Sequence, residues 1–308
     1  MAVKVFLRGG LGNQLFQYSA ALFFAKKQNT EVVIRTDLLP AIADTIASTS
    51  RWPSQITNFA FEGKISNRGN QPPNSTNLFS KFMQAQRLVG DLFGPLMTNM
   101  GYLSGERQNQ INFSSLPRIR VINSYCANST PAQELGEILR NQLLQIVNPS
   151  RMYSEMLSEI RRNPPVTVHL RMGDYLQLTH LYGKPNFEEL EKVMGRVLAS
   201  KKTPIWVFTD SPEDLDASWL QRLNVDKVIG PKDLPSSLEN LILLSSGSSL
   251  VCSNSTFSWW AAFLKGTQGQ VHYPRPRALG SDVFIDEMVL WGWEPYGIFP
   301  PCEELNQR

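Results

Sequence analysis

Cysteine is scarce in this 308-residue chain: Cys126, Cys252 and Cys302 are odd in number, widely spaced and free of any Cys-x-x-Cys or Cys/His grouping. That excludes a disulfide framework and a zinc site, and reduced thiols are the expectation. An excess of one charge is missing too. The 30 Lys and Arg stand against 27 Asp and Glu, a net charge of +3, so no basic stripe for a nucleic acid is expected. No run approaches the roughly 20 apolar residues that cross a bilayer, and the chain opens on VKVFL rather than on a signal peptide. The expectations are no transmembrane segment, no nucleic-acid partner and a cytoplasmic location. The Asn-x-Ser/Thr triplets at Asn74, Asn112, Asn128 and Asn254 read as chance in a Ser- and Asn-rich chain.

What is present fits a soluble globular protein of two α/β domains: 42% hydrophobic and 19% charged residues over a length that exceeds one ordinary core. Val3 to Leu7 reads as a strand, RGGLGNQ as a Gly-rich turn, and the next segment as a helix with Leu15, Tyr18, Leu22 and Ala25 on its apolar face. Gly9, Gly10 and Gly12 permit close backbone approach or positive φ, and Arg8, Asn13 and Gln14 place donors at the same rim. A tight turn needed only for packing explains those glycines equally well. The spacing is not GxGxxG and no phosphate-loop lysine follows, which excludes a dinucleotide fingerprint. Glu31 to Asp37 is the next strand. From Pro40 to Arg118 the pattern is poor, as in irregular inserts. Arg118 to Tyr125 reads as a strand and Pro131 to Val147 and Ser150 to Arg162 as helices. Pro164-Pro165 then divides the chain into an N-terminal domain, 1–163, and a C-terminal domain, 164–308.

The second half alternates strands and helices from Val166 to Tyr273, the pattern of a doubly wound parallel sheet. Strand Val166 to Leu170 runs into RMGDYL, so Arg171, Gly173 and Asp174 leave its carboxyl end together, the edge at which open α/β sheets bind ligands. Arg171 offers a permanent charge and a planar fork suited to phosphate. His169 reads either as a satisfied core histidine or as part of a site. Asn186 caps the following helix, and strand Thr203 to Asp210 leads into Ser211-Pro212-Glu213-Asp214, a helix start in which Ser211 caps and Asp214 supplies the capping-box acid. Helix-start chemistry thereby accounts for the Asp214-Leu215-Asp216 carboxylates, and no metal site is expected. A short strand at Asp226 to Gly230, a helix at Ser237 to Ser246 and a closing strand at Val271 to Arg277 complete the pattern. The stretch Leu250 to Leu264 reads as strand, hydroxyl-rich turn and helix. Its backbone N–H groups and positive dipole end are suited to an anion, although Ser253, Asn254, Ser255 and Thr256 are also ordinary cappers. Trp259 and Trp260 read as packing residues.

GGLGNQLFQYSAAL from Gly9, VHLRMGDYL from Val168 and SNSTFSWWAAFL from Ser253 resemble, in order and separation, the signature regions of the α-1,2-fucosyltransferases of glycosyltransferase family 11. The resemblance implies a GT-B-like fold, two Rossmann-type domains facing across a cleft. It also implies an inverting, metal-independent transfer of L-fucose from GDP-β-L-fucose to the 2-hydroxyl of a galactose-terminated oligosaccharide acceptor, with no cofactor beyond the donor substrate. Carried over by residue, Arg171 neutralises the β-phosphate, His169 lies near the nucleotide, and Ser255 and Thr256 donate to phosphate. Asn13 approaches the glycosidic oxygen, and Arg8 and Gly12 line the donor site. Asp174 is the first candidate for the general base, its alternatives being a loop cap or a partner for Arg171, and His180 is the second. Two departures stand out: Met172 replaces a second arginine, and Asn240 stands where relatives place an aspartate that reads guanine, with Glu239 as a substitute reader. Asn240 keeps open a GT-B transferase for another nucleotide sugar, and the fold alone is compatible with a non-catalytic nucleotide- or glycan-binding module.

Overall fold

The computed structural model describes residues 2–36, 55–66, 93–104, 112–173, 186–198, 203–275, 288–290 and 292–297. They form two compact α/β units, Met1–Val147 and Asn148–Arg308.

The strands of the first unit are β1 (Ala2–Phe6), β2 (Glu31–Arg35), β3 (Lys64–Ile65), β4 (Tyr102–Ser104) and β5 (Val121–Asn123). They pair in the order β3-β2-β1-β5-β4, all parallel. Helix α1 (Leu11–Lys27) crosses from β1 to β2, and Leu15, Phe16, Tyr18, Leu22 and Phe24 are all buried along it. A helix apolar on nearly every side has to lie inside its domain. The region that reads as irregular inserts supplies both edge strands, β3 and β4, and helix α2 (Gly94–Asn99). Strands of two and three residues are too short to show the period that betrays longer ones. The expected helix from Pro131 is two, α3 (Ser129–Glu134) and α4 (Gly136–Leu144), broken at Leu135. The start of α3 is set by Asn128, whose side chain accepts from the Thr130 N–H; Asn112 does the same for Ser114.

Helix α5 (Arg151–Arg162) opens the second unit, so the division falls before this helix and not at Pro164-Pro165. Ser150 explains why. Its backbone N–H and its hydroxyl donate to the two carboxylate oxygens of buried Glu239, at 2.6 and 2.8 Å, which ties the start of α5 to a helix of the second sheet. That sheet contains β6 (Val166–Leu170), β7 (Ile205–Thr209), β8 (Lys227–Ile229), β9 (Ser249–Val251), β10 (Val271–Arg275) and β11 (Trp293–Gly297), in the order β11-β10-β9-β6-β7-β8. Its ladders are parallel throughout. Every residue of β6 and β7 is buried, the mark of central strands covered on both faces. Val271 to Arg275 does not close the sheet as expected, because β11 lies outside it. Trp-Glu-Pro-Tyr-Gly is half-exposed and carries a proline, which suits an edge strand.

Helices α6 (Phe187–Leu198), α7 (Ala217–Arg222), α8 (Ser237–Ser245) and α9 (Thr256–Lys265) cover this sheet. Asn186 caps α6 as expected, accepting from the Glu188 and Glu189 N–H groups. The Ser211 segment differs. Pro212–Asp214 is a single 3-10 turn that Ser211 does not cap with its side chain, and Asp216 caps α7 through the Ser218 and Trp219 N–H groups. Cys126 and Cys252 are free and fully buried, and burial pushes both thiols up, so neither is a reactive thiolate. Among the described residues no helix is long and apolar enough to cross a membrane. Both units are doubly wound parallel sheets of Rossmann type, and two such units in one chain are the α/β architecture of the GT-B class.

Candidate functional site

In the second sheet the chain winds outward from β6 to β8 and then returns to wind in the other direction from β9 to β11, and ligands of open α/β sheets bind where such a reversal parts two strand ends, here β6 and β9. In the first sheet β1 is the central strand, between β2 and β5. An arginine follows the central strand in both.

In the first unit, Arg8 lies one residue past Leu7, and its guanidinium donates through Nη2 to the Oδ1 of Asn123 at the end of β5. Its backbone is clamped by Gln17: the Arg8 N–H donates to Oε1 at 2.9 Å and Nε2 donates to the Arg8 carbonyl at 3.2 Å. Gln14, expected at the rim, is instead fully buried. Its Nε2 donates to the Gly9 carbonyl at 2.8 Å and its Oε1 accepts from the Gln55 N–H at 3.0 Å. Gly9 has φ +72°, a left-handed conformation that favours glycine, and a Cβ there would also lie 2.7 Å from Asn13 Nδ2. Gly12 is buried in the first turn of α1, while Asn13 is half-buried beside it.

The second unit gathers more chemistry. Arg171 follows β6 directly, and its Nη1 lies 2.9 Å from Asp210 Oδ2 at the end of β7; the side chains are 16% and 14% exposed. Asp210 Oδ1 accepts from the Met172 N–H at 2.8 Å. The turn passes so close that a Cβ on Gly173 would sit 2.6 Å from Asp210 Oδ2. Across the switch point, His169 Nδ1 is 2.8 Å from Ser253 Oγ and 2.6 Å from Ser258 Oγ, while Ser258 Oγ also accepts from the Ser253 N–H at 3.1 Å. The imidazole thereby staples the end of β6 to the turn between β9 and α9. Ser255 caps α9, its Oγ accepting from the Phe257 N–H at 3.2 Å, and Thr256 is the first helical residue. Beside the turn is a cavity of about 40 Å³ walled by Trp259, Tyr273, Pro274 and Trp293, too small to enclose a nucleotide.

Burial, reinforced by the Arg171 charge, pushes the His169 pKa down to about 3, so the ring stays neutral at physiological pH and the positive charge of this edge is that of Arg171 and the helix dipole. A folded-state pKa below the unfolded value means that the unfolded chain binds a proton the folded chain refuses. Stability is therefore whole above pH 6.5 and falls as the pH drops toward 3. Urea unfolding at pH 7 and pH 5 is expected to show up to about 2 kcal/mol of loss from this group. His272, also lowered by burial, contributes in the same sense. The His169 share is the part that disappears in His169→Asn, and an unchanged pH dependence in that variant excludes it.

The structure thus places His169 at the end of β6 with Arg171 directly after it, and Ser255 and Thr256 after the adjacent strand β9, on the same edge of the sheet. Asn240 stands in the first half of α8, where its Nδ2 donates to the Leu234 and Ser236 carbonyls at 2.6 and 2.9 Å, leaving Oδ1 as the atom with which it can meet a base. Glu239, named as a substitute base reader, is buried, and each of its carboxylate oxygens accepts from Ser150. Asp174 and His180 lie outside the described residues. Among the described residues no group of three or more His, Cys, Asp or Glu could hold a metal ion. Sequence reasoning missed Ser258 and assigned no role to Asp210. Ser258 had a signal, since a polar residue three after an N-cap can reach back over the helix start.

The Glycosyl transferase family 11 profile matches residues 106–275, more than half of the chain, and the match includes β6, Arg171 and the Ser253 to Thr256 turn. Among curated proteins, the O-antigen biosynthesis glycosyltransferase WbnK of Escherichia coli is 21% identical over 288 residues, covering 86% of this chain and 91% of the relative. Among solved structures, POFUT1 in complex with GDP-fucose aligns with a TM-score of 0.51 at 15% identity, covering 88% of this chain and 98% of that one. The fucosyltransferase NodZ from Bradyrhizobium aligns with a TM-score of 0.46 at 16% identity, covering 85% and 91%. With an arginine and a helix N-terminus following two adjacent parallel strands of a doubly wound sheet, and the profile spanning both, the chain belongs to glycosyl transferase family 11.

Proposed function

We propose that this glycosyltransferase moves L-fucose from GDP-β-L-fucose to the 2-hydroxyl of a terminal galactose, with inversion to the α linkage and without a metal ion. The observation that carries the reading is Arg171, a mostly buried permanent cation directly after β6, on the same edge of the sheet as the amino end of α9, which follows the adjacent parallel strand β9. A diphosphate there meets a permanent cation and the N–H groups that a first helical turn leaves without intrahelical partners. Family membership supports sugar transfer, and the GDP-fucose held by POFUT1 on the same fold supports the donor.

In the proposed reaction the galactose 2-oxygen attacks the fucose anomeric carbon as the bond to the β-phosphate oxygen breaks. Its proton passes to a general base, for which Asp174 is the proposed residue and His180 the second choice, and GDP leaves. Negative charge grows on the diphosphate during that step, so donors already aimed at it stabilise the transition state more than the ground state. Asn13 is the proposed contact to the glycosidic oxygen, and Arg8 and Gly12 complete the donor site. His169 does its part as a neutral ring: it holds the α9 turn through Ser253 and Ser258 and faces the nucleotide. In the Asp214-Leu215-Asp216 stretch, Asp216 caps α7, which supports the reading without a metal ion.

Asn240 favours a second reading, a transferase for another nucleotide sugar, because one amide oxygen replaces a bidentate carboxylate and relaxes the choice of base. Incubation with GDP-fucose and lactose, with and without EDTA, separates these readings. Fucosylated product carrying an α-1,2 linkage, formed at the same rate under EDTA, is the expected result. Preference for another donor would establish the second reading, and GDP-fucose binding without transfer to any galactoside would mark a binding module. Asp174→Asn is expected to abolish transfer while GDP-fucose still binds.

A further inference from the structure

We infer that Asp210 is the positioning residue for Arg171, holding its guanidinium fixed beyond the carboxyl end of β6 as a diphosphate ligand. This inference rests on the reading of Arg171 as the diphosphate ligand.

Arg171 stands on a loop directly after β6, and a long side chain there would sample many rotamers if nothing constrained it. Asp210 constrains it twice. Through Oδ2, 2.9 Å from Nη1, it fixes one edge of the planar fork, and through Oδ1, 2.8 Å from the Met172 N–H, it fixes the backbone from which the side chain springs. The carboxylate is itself rigidly based, being the first residue past β7, which pairs with β6 along its full length from Val166 and Ile205 to Leu170 and Thr209. Gly173 belongs to the same arrangement, since any Cβ there would press to 2.6 Å from Asp210 Oδ2 and push the carboxylate off the arginine. Both side chains are mostly buried, so the pair is only weakly screened by solvent.

Simple electrostatics points the other way. A carboxylate near a diphosphate repels it, and removing that charge should by Coulomb's law tighten GDP binding. The two effects differ in sign, so the sign of a single measurement decides between them. If Asp210 acts through Arg171, Asp210→Asn weakens GDP binding despite removing a negative charge. The loss also vanishes once Arg171 is absent, because coupled residues are non-additive.

The test is a double-mutant cycle on GDP affinity, measured by titration calorimetry on the full chain with thermal melting alongside. The expected result is about a 30-fold loss for Arg171→Ala, the range of a charge-assisted hydrogen bond. About a 10-fold loss is expected for Asp210→Asn, and a double variant no weaker than Arg171→Ala alone. Tighter binding, unchanged binding, or losses that multiply in the double variant would each overturn the inference while leaving GDP binding by the wild type, and so the functional reading, standing. No GDP binding by the wild-type protein would overturn both. Should Asp210→Asn melt below the assay temperature, the same cycle with Asp210→Glu applies: that variant keeps the charge but displaces it, and losses that multiply would again overturn the inference.

Discussion

Turnover with GDP-fucose is expected to fall about 100- to 1,000-fold when Arg171 is replaced by alanine, the range for removal of one fixed donor aimed at charge that develops in a transition state. The reasoning begins with a residue type. Arginine cannot be neutralised by its surroundings, and its fork matches two phosphate oxygens, so it is the side chain to place where a diphosphate must depart. Position supplies the rest: Arg171 is the first residue past the central strand β6, is mostly buried, and is oriented by Asp210. Removing it also leaves Asp210 as a buried carboxylate without its cation, which adds repulsion toward the same ligand. Arg171→Lys isolates the geometric part, because a lysine keeps the charge and loses the planar fork. It is expected to recover only part of the lost turnover. Steady-state rates for the three proteins at saturating donor make the comparison, and wild-type turnover in the alanine variant would remove Arg171 from the mechanism.

The second large effect is on stability. Trp260→Ala is expected to destabilise the second unit by about 3 to 5 kcal/mol, the range for truncating a large buried aromatic side chain. Trp260 is fully buried on α9 and packs edge-to-face against Trp259 and Phe263, with ring centroids 5.1 Å apart in both pairs. Trp259 continues the cluster onto β11, 6.1 Å from the ring of Trp293, and its Nε1 donates to the Met288 carbonyl at 2.6 Å. Such a loss is a large part of the roughly 5 to 15 kcal/mol that holds an ordinary domain together. It also acts on the site, since α9 carries the proposed diphosphate cradle at its amino end. The urea midpoint of the transition that includes Trp fluorescence reports the first effect, and GDP affinity under native conditions reports the second. A shift below about 1 kcal/mol, the scale of an ordinary surface substitution, would mean that the cavity collapses around the missing ring.

Much of this was legible in the residues themselves. Uninterrupted apolar strands such as VTVHL and IWVFT declare central parallel strands, because only strands buried on both faces abandon alternation. Asn186 ahead of α6 and Ser255 ahead of α9 declare their helix starts, because a short polar side chain satisfies N–H groups that the helix cannot. Local chemistry of that kind is complete within a few residues. It also made Arg171 a candidate, since the end of a buried strand followed by arginine and glycine is visible in one line of sequence.

Other matters lay beyond the chain's local grammar. Glu239 looked available to read a base, and Ser150 occupies it from 89 residues away. Gln14 looked like a rim donor, and the turn it braces draws it inward. Asp216 rather than Ser211 starts α7, because the 3-10 turn before it displaces the helix by several residues. The short strands β3 and β4, and the edge strand β11, owe their existence to neighbours that complete their ladders rather than to their own propensities. By itself the sequence determined the alternation of buried strands and capped helices, and with it two α/β units and an arginine at a strand end. Only the tertiary structure decided that β6 and β9 lie side by side. That adjacency turns Arg171, His169 and the Ser253 to Thr256 turn, some 80 residues apart in the chain, into one edge, because strand order depends on which faces and ladders the whole unit can complete at once.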